Sequence, residues 1–412
     1  MKPLITVLLT GAWLIVGLSN CVSTAGAHEP PLLKDQGRYI QLSGSHDAYG
    51  RADQPGERRS TRMPDLLVLD DRRWIVVYSE YPILYSSGDW ARIILRRTED
   101  AGETWSTQVV NEQRKDREEY LGNWDMVRLS RLSDGRLVLS TTTRGLEARN
   151  LPNRCWLFFS RDDGLTWEGP IDPRIREEAH RKLGFQVDNY SEMSRLAELD
   201  GELFVVIHRY QPPIGKTPPG QTPLFVSDVF ASGDGGRSWE YRSTVSRPDC
   251  GPCEPGVLVR HKTLQLYFRD DQDYGRPMLV YRSQDGARTW QLAYIAKEAP
   301  GHQCAVTMLK DGNAAAIYRV NEQQRVGADL WVHSPETFAG RVWHVDRVAG
   351  SRHIFDIDGG GIAQLSDGTL LLCYATVQKK DGTRWPDKRV VLLVLPPQAI
   401  QGQADTAMPG HQ

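Results

Sequence analysis

The stretch RRTEDAGETW, Arg96 to Trp105, sets acids, a glycine, a hydroxyl and a tryptophan within one short span, and near-copies follow it. FFSRDDGLTW ends at Trp167, FASGDGGRSW at Trp239 and YRSQDGARTW at Trp290, with a worn copy, HSPETFAGRVW, ending at Trp343. Each copy falls just after one strand-like run and just before another. Asp100, Asp162, Asp234 and Asp285 are placed to accept backbone N–H bonds across a tight hairpin. The glycine supplies positive φ, the Ser or Thr satisfies another backbone group, and the Trp buries its ring below. The motif, an Asp box, is a hairpin staple and not a set of catalytic acids.

Working outward, the rest of the chain reads as strands: LLVL, WIVVY, ARIIL, RLVLSTT, LFVVIH, LQLYF and RVVLLVL, with Gly and Pro between the runs. Asp172 to Lys182 is the best helical candidate. A second repeat counts the units. Strand–turn–strand hairpins carry tips at Asp70-Asp71, Asp134-Gly135, Asp200-Gly201, Lys262-Thr263, Asp311-Gly312 and Asp367-Gly368, about 49 to 66 residues apart. That spacing is the length of a four-stranded propeller blade. The fold expected is all-β: a six-bladed β-propeller with Asp-box hairpins. The last blade lacks an outer strand, which GRYIQLSG near residue 40 can supply, closing the ring and removing an open edge.

The bulk properties set limits. A formal charge of −2 with acids and bases interspersed argues against a nucleic-acid partner held by electrostatics. Met1 to Ala27 has a basic start, an apolar run from Leu4 to Leu18 and an Ala25-Gly26-Ala27 cleavage site, so residues 1–27 read as a signal peptide too short for a membrane span. The expected location is secreted or periplasmic; lipid anchoring at Cys21 is disfavoured by the bulk of Asn20. The propeller is expected over residues 28–398, and a disordered tail over 399–412. CGPC, Cys250 to Cys253, has the spacing of a redox motif but no βαβ context, so a loop disulfide or two inert thiols is expected. The histidines show no ligand spacing, and neither a metal nor a cofactor is expected.

Propeller geometry then locates the chemistry. If hairpin tips and Asp boxes share one face, innermost strands begin on the other. Counting back eight or nine residues from each tip gives Arg62, Asp125 with Met126, Glu192, Glu254, His302 with Gln303, and Asp358 with Gly359. Second strands end there too, at Glu80, Arg144, Arg209, Arg269, Arg319 and Thr376. Bringing so many charges together costs desolvation, which a structural ring would avoid. A polar binding site is expected at this mouth.

Over residues 50 to 395 the chain resembles the sialidase superfamily of six-bladed Asp-box propellers. TRMPDLLVL at Arg62 is similar to the family's R-I-P segment, and EPGVLVRHKTLQLYFRD to the segment pairing a catalytic Glu with an arginine, here Glu254 and Arg269. The resemblance implies an exo-acting glycoside hydrolase cleaving a terminal anionic, sialic-acid-like sugar from glycans. Arg62, Arg269 and Arg325, with Arg319 as the alternative third, would clamp its carboxylate. Asp89 would donate the proton and Glu254 activate the nucleophile, while Asp125 would contact the sugar. The pattern breaks at the nucleophilic Tyr: Gly359 stands at its place in FDIDGGGIAQLSDG, and Tyr190 is the nearest substitute considered. Two alternatives follow. Glu192 and Glu254, on adjacent blades, suit a two-glutamate exo-glycosidase of the arabinanase kind on a neutral or uronic sugar. A glycan-binding propeller without catalysis is the other.

Overall fold

In the computed structural model the described residues are 31–43, 59–82, 89–144, 153–187, 190–211, 224–270, 276–322, 325–348, 357–378 and 387–401. The expected leader, Cys21, residues 212–223 of the proline-rich segment and the chain beyond Gln401 lie outside them.

A 3₁₀ turn at Leu33–Asp35 leads into β1 (Arg38–Gln41). Blade 1 is β2 (Arg59–Val68), β3 (Trp74–Pro82), β4 (Trp90–Thr98) and β5 (Ser106–Arg114). Blade 2 is β6 (Asn123–Arg131), β7 (Leu137–Arg144), β8 (Arg154–Ser160) and β9 (Glu168–Ile171), followed by α1 (Ile175–Leu183). In blade 3 the innermost strand is split into β10 (Ser191–Met193) and β11 (Ala197–Leu199), both on β12 (Glu202–Gln211), with β13 (Leu224–Ser232) and β14 (Glu240–Val245) outside. Blade 4 is β15 (Pro252–Arg260), β16 (Thr263–Asp270), β17 (Pro277–Ser283) and β18 (Gln291–Pro300). Blade 5 is β19 (His302–Met308), β20 (Ala314–Glu322), β21 (Arg325–His333) and β22 (Gly340–Arg347). Blade 6 is β23 (Ile357–Gln364), β24 (Leu370–Gln378) and β25 (Asp387–Leu395), then a short α2 (Gln398–Gln401).

These are six antiparallel sheets, and β1 completes the sixth as its outermost strand, pairing Arg38 with Val394 and Gln41 with Val391. Each innermost strand touches those before and after it, and β23 touches β2, so the ring closes. The expected fold and its N-terminal closing strand are both observed. Two details differ. Thr263 already belongs to β16, because His261, at φ +52°, makes the turn with Lys262. The chain also continues past Gln398 as α2, whose Ala399 and Ile400 pack against the core between blades 5 and 6.

Alternation along the strands builds the core. Leu370, Leu372 and Tyr374 face blade 5, while Leu371 and Cys373 on the same strand face blade 1. Every pair of neighbouring blades encloses one such apolar cluster. A fully buried Leu contributes roughly 1.5–3 kcal/mol, so the layers between blades dominate stability. The Asp boxes act as staples: Thr104 N and Oγ1 donate to Asp100 at 2.9 and 2.6 Å, and Gly102 N donates to Thr98 Oγ1 at 2.9 Å. The same bonds recur around Asp162, Asp234 and Asp285.

At mid-depth a buried ion pair ties three blades together. Arg195, between β10 and β11, donates from Nε to Asp65 Oδ2 at 2.9 Å and from Nη2 to Asp65 Oδ1 and to the Leu66 carbonyl. Asp65 also accepts Leu129 N from blade 2 at 2.8 Å. The pair thus links blades 1 and 3, and the Leu129 bond adds blade 2. Arg195→Ala strands the fully buried Asp65 carboxylate and should cost about 3–5 kcal/mol in denaturant unfolding. Arg181→Ala, which removes an exposed pair with Glu178, should cost under about 1 kcal/mol.

Candidate active site

The mouth residues owe their direction to one repeated backbone device. Near the start of every innermost strand the register slips: between Arg62 and Asp65, Asp125 and Arg128, Ser191 and Met193, Cys253 and Gly256, His302 and Ala305, and Asp358 and Gly361. In five blades the bulged residue has positive φ without being glycine: Met63 (50°), Met126 (44°), Glu192 (58°), Glu254 (53°) and Gln303 (53°). Such residues cost about 1–2 kcal/mol each and cluster at functional sites. A bulge re-aims its side chain, which lets Glu192 and Glu254 leave the blade interfaces for the mouth.

Two buried glutamates on adjacent blades interact there, and their surroundings shift them in opposite directions. Burial pushes the Glu192 carboxyl well above the ordinary range, and the nearby charges of Glu254 and Asp125 add to the push against Arg144 and Arg62. Its Oε2 has no hydrogen-bond partner. Burial also opposes ionisation of Glu254, but Arg269 and Arg319 outweigh it and hold the group below the ordinary value. Arg269 Nη1 donates to Glu254 Oε1 at 2.8 Å, and Gln303 N donates to Oε2 at 3.0 Å. The two carboxyls are therefore shifted in opposite directions, Glu192 toward its protonated form and Glu254 toward the carboxylate. Environments that push two carboxyls apart separate acid from base roles.

The flanking histidines stay neutral. Glu254 N donates to His208 Nδ1 at 3.2 Å, so that nitrogen carries no proton, and burial lowers the ring pKa to about 3. Burial, with Arg269 and Arg319, also lowers His302 to about 3. These rings supply hydrogen bonds without charge.

Blade 6 contributes a hub. Asp358 is wholly buried, with Lys388 Nζ 2.5 Å from Oδ2, Arg62 Nε 3.7 Å from Oδ2 and Arg319 Nη1 3.7 Å from Oδ1. Burial favours its neutral form, but Lys388, Arg62 and Arg319 outweigh that and lower its pKa. Arg319 is 2% exposed, and its Nε and Nη1 make no hydrogen bond. On the far side, Arg144 Nε donates to Asp125 Oδ2 at 2.5 Å. The four carboxyls Asp125, Glu192, Glu254 and Asp358 share this mouth with the five cations Arg62, Arg144, Arg269, Arg319 and Lys388. Cations outnumber carboxylates, and the mouth favours an anion.

The structure thus gathers Arg62, Arg269, Arg319, Asp125, Glu192 and Glu254. It does not gather Asp89, whose side chain is 87% exposed beside the outer strand of blade 1, 3.5 Å from Lys115 Nζ. Arg325 begins β21, but its side chain lies outside the described residues. Tyr190 is buried in the core between blades 2 and 3, donating to Asp228 Oδ2 at 2.6 Å, and Arg209 is held by the same carboxylate. Of the CGPC thiols, Cys253 donates to the Arg269 carbonyl at 3.8 Å, and Cys250 lies in the core between blades 3 and 4, with burial raising it to about 12. Sequence reasoning missed Lys388, whose only signal is its place one step before the last strand run, RVVLLVL.

A six-bladed ring with Asp boxes and a charged mouth defines an Asp-box propeller. The sequence profile of the BNR repeat-like domain matches residues 91–349, more than half of the chain, and the chain belongs to that family. No curated protein sequence matches it. Among solved structures, a protein of unknown function from Dyadobacter fermentans DSM 18053 is 15% identical with a TM-score of 0.64, covering 87% of this chain and 99% of its own. Trypanosoma rangeli sialidase bound to the inhibitor DANA is 15% identical with a TM-score of 0.57, covering 84% of this chain; the match spans 56% of the sialidase. The GH93 α-L-arabinofuranosidase of Fusarium graminearum with arabinobiose is 14% identical with a TM-score of 0.54, covering 84% and 96%. At these identities the likeness is one of fold.

Gly359 is more than an unlucky substitution. A Cβ there would lie 1.8 Å from the Gln303 carbonyl oxygen, and one at Gly360 1.6 Å from that of Cys373, so the backbone of blade 6 approaches too closely for any side chain. Gly359→Ala should lower the unfolding midpoint more than Gly135→Ala does. Gly135 has φ +87° but open space around it, and alanine there should cost about 1–2 kcal/mol.

Proposed function

We propose that the protein is an exo-acting glycoside hydrolase that removes a terminal anionic sugar, using Glu192 as proton donor and Glu254 as nucleophile or base. The carrying observation is the pair of buried carboxyls whose surroundings push them in opposite directions, set among Arg62, Arg269 and Arg319. Glu192 protonates the leaving oxygen. Glu254 then attacks the anomeric carbon or takes a proton from an attacking water, according to whether the carboxyls stand about 5–5.5 or 6.5–9.5 Å apart. Arg319, with two unpartnered N–H groups, and its neighbours Arg62 and Arg269 would hold the sugar's acid group.

The absence of a side chain at Gly359 bears on the substrate. A sialic acid carries its carboxylate on the anomeric carbon, where it repels an attacking Glu; a uronic acid carries it farther off. A uronide therefore suits the two-glutamate site better than a sialoside. The sialidase and arabinofuranosidase neighbours fit a carbohydrate substrate, and residues 1–27 fit action outside the cytoplasm.

The test is a panel of aryl glycosides, comprising a uronide, a sialoside and an arabinofuranoside, with Glu192→Gln and Glu254→Gln. The uronide should be turned over, with kcat/KM falling at high pH as Glu192 ionises and persisting in mild acid because Glu254 resists protonation. Glu192→Gln should remove the alkaline limb and cost about 10²–10⁴-fold on substrates with poor leaving groups, and less on nitrophenolates. Hydrolysis of the sialoside alone would overturn the substrate assignment. Glycan binding without turnover of any member would make the propeller a binding protein.

A further inference from the structure

Below the glutamates, the innermost strand of blade 2 carries a cation that the site does not use. Trp124, Val127 and Leu129 of β6 face blade 1, which puts Arg128 on the strand's other side with Ser130, whose Oγ accepts Leu196 N of blade 3. Arg128 is 4% exposed, its Nη1 has no hydrogen-bond partner, and no ion pair or hydrogen bond reaches it among the described residues. Its charge acts on the Cys304 thiol of blade 5, on the opposite side of the ring.

Every nearby carboxylate is already engaged. Asp65 accepts Leu66 N and Arg195 at Oδ1, and Leu129 N and Arg195 at Oδ2. Asp125 is paired with Arg144, Glu254 with Arg269, and Asp358 with Lys388. Glu192 is shifted toward its protonated form. At the same step past the bulge as Arg128, blades 4, 5 and 6 carry Gly256, Ala305 and Gly361, which put no long side chain at that level. An unpaired guanidinium in a low-dielectric interior costs several kcal/mol unless a counter-charge joins it.

We infer that the central channel binds a small monovalent inorganic anion of the halide class against Arg128, beneath the sugar site and independently of it. A single guanidinium facing backbone and small side chains lacks the several donors that sulfate or phosphate needs. The anion neutralises a buried cation that no described residue pairs, and it helps hold the opposed blades 2 and 5 about the axis. The inference stands whether or not the chain is an enzyme.

The experiment compares thermal unfolding in sodium bromide and in sodium gluconate at matched ionic strength, for the wild type and for Arg128→Met. Bromide should raise the wild-type Tm by about 2–4 °C near saturation. Arg128→Met should be at least as stable as the wild type in gluconate, since an apolar side chain replaces an unpaired charge, and should not respond to bromide. Anomalous diffraction from bromide-grown wild-type crystals should show one peak on the axis within contact of the guanidinium. Equal Tm in both salts, equal bromide responses in the two proteins, or no axial peak would each overturn the inference. If Arg128→Met cannot be recovered folded, the wild-type Tm and the anomalous map decide.

Discussion

Closing six sheets around one axis forces charges that are remote in sequence to share a space with little water, and the rest of the site follows from how each is compensated. Arg269 answers Glu254, Arg144 answers Asp125, and Lys388 with Arg62 and Arg319 answers Asp358. Glu192 gains no such ion-pair partner, and burial with the charges of Glu254 and Asp125 raises its pKa. The opposite shifts of two like residues are a product of the ring, because neither blade alone supplies the charges that separate them. Arg195 and Asp65 play the equivalent structural part lower down, where an ion pair links blades that share no hydrogen-bonded sheet.

Much of this was legible in the sequence because a blade has fixed dimensions. The Asp boxes mark the outer hairpins, the Asp-Gly tips mark the inner ones, and eight or nine residues of strand separate a tip from the mouth. That count found the bulged position in all six blades, from Arg62 to Asp358. It worked because strand length and register are set by the same apolar alternation that builds the layers between blades.

What escaped was set by reach across blades. Lys388 lies on a third strand and matters only because its side chain extends to Asp358 on the first. Arg195 sits in a break between two short strands, where no strand pattern marks it, and it crosses to Asp65 of blade 1. Asp89 had the right residue type in the right loop, but the strand pairing leaves it at the exposed outer rim with Lys115. Tyr190 pointed into the core because the bulge re-aims Glu192 alone, leaving its neighbour against Asp228 and Phe230.

Gly359 shows how the architecture shapes the chemistry. The Gly359–Gly361 run lets blade 6 press its backbone against blades 5 and 1, and that closeness leaves no room for a tyrosine nucleophile. The work of bond cleavage then falls to the two glutamates, and its central requirement is that Glu192 be protonated at neutral pH. Difference infrared spectroscopy of the wild type against Glu192→Gln tests this directly. A carboxylic acid C=O band present at pH 7 in the wild type and lost in Glu192→Gln is the result expected. No such band in the wild type, or its survival in Glu192→Gln, would contradict the account.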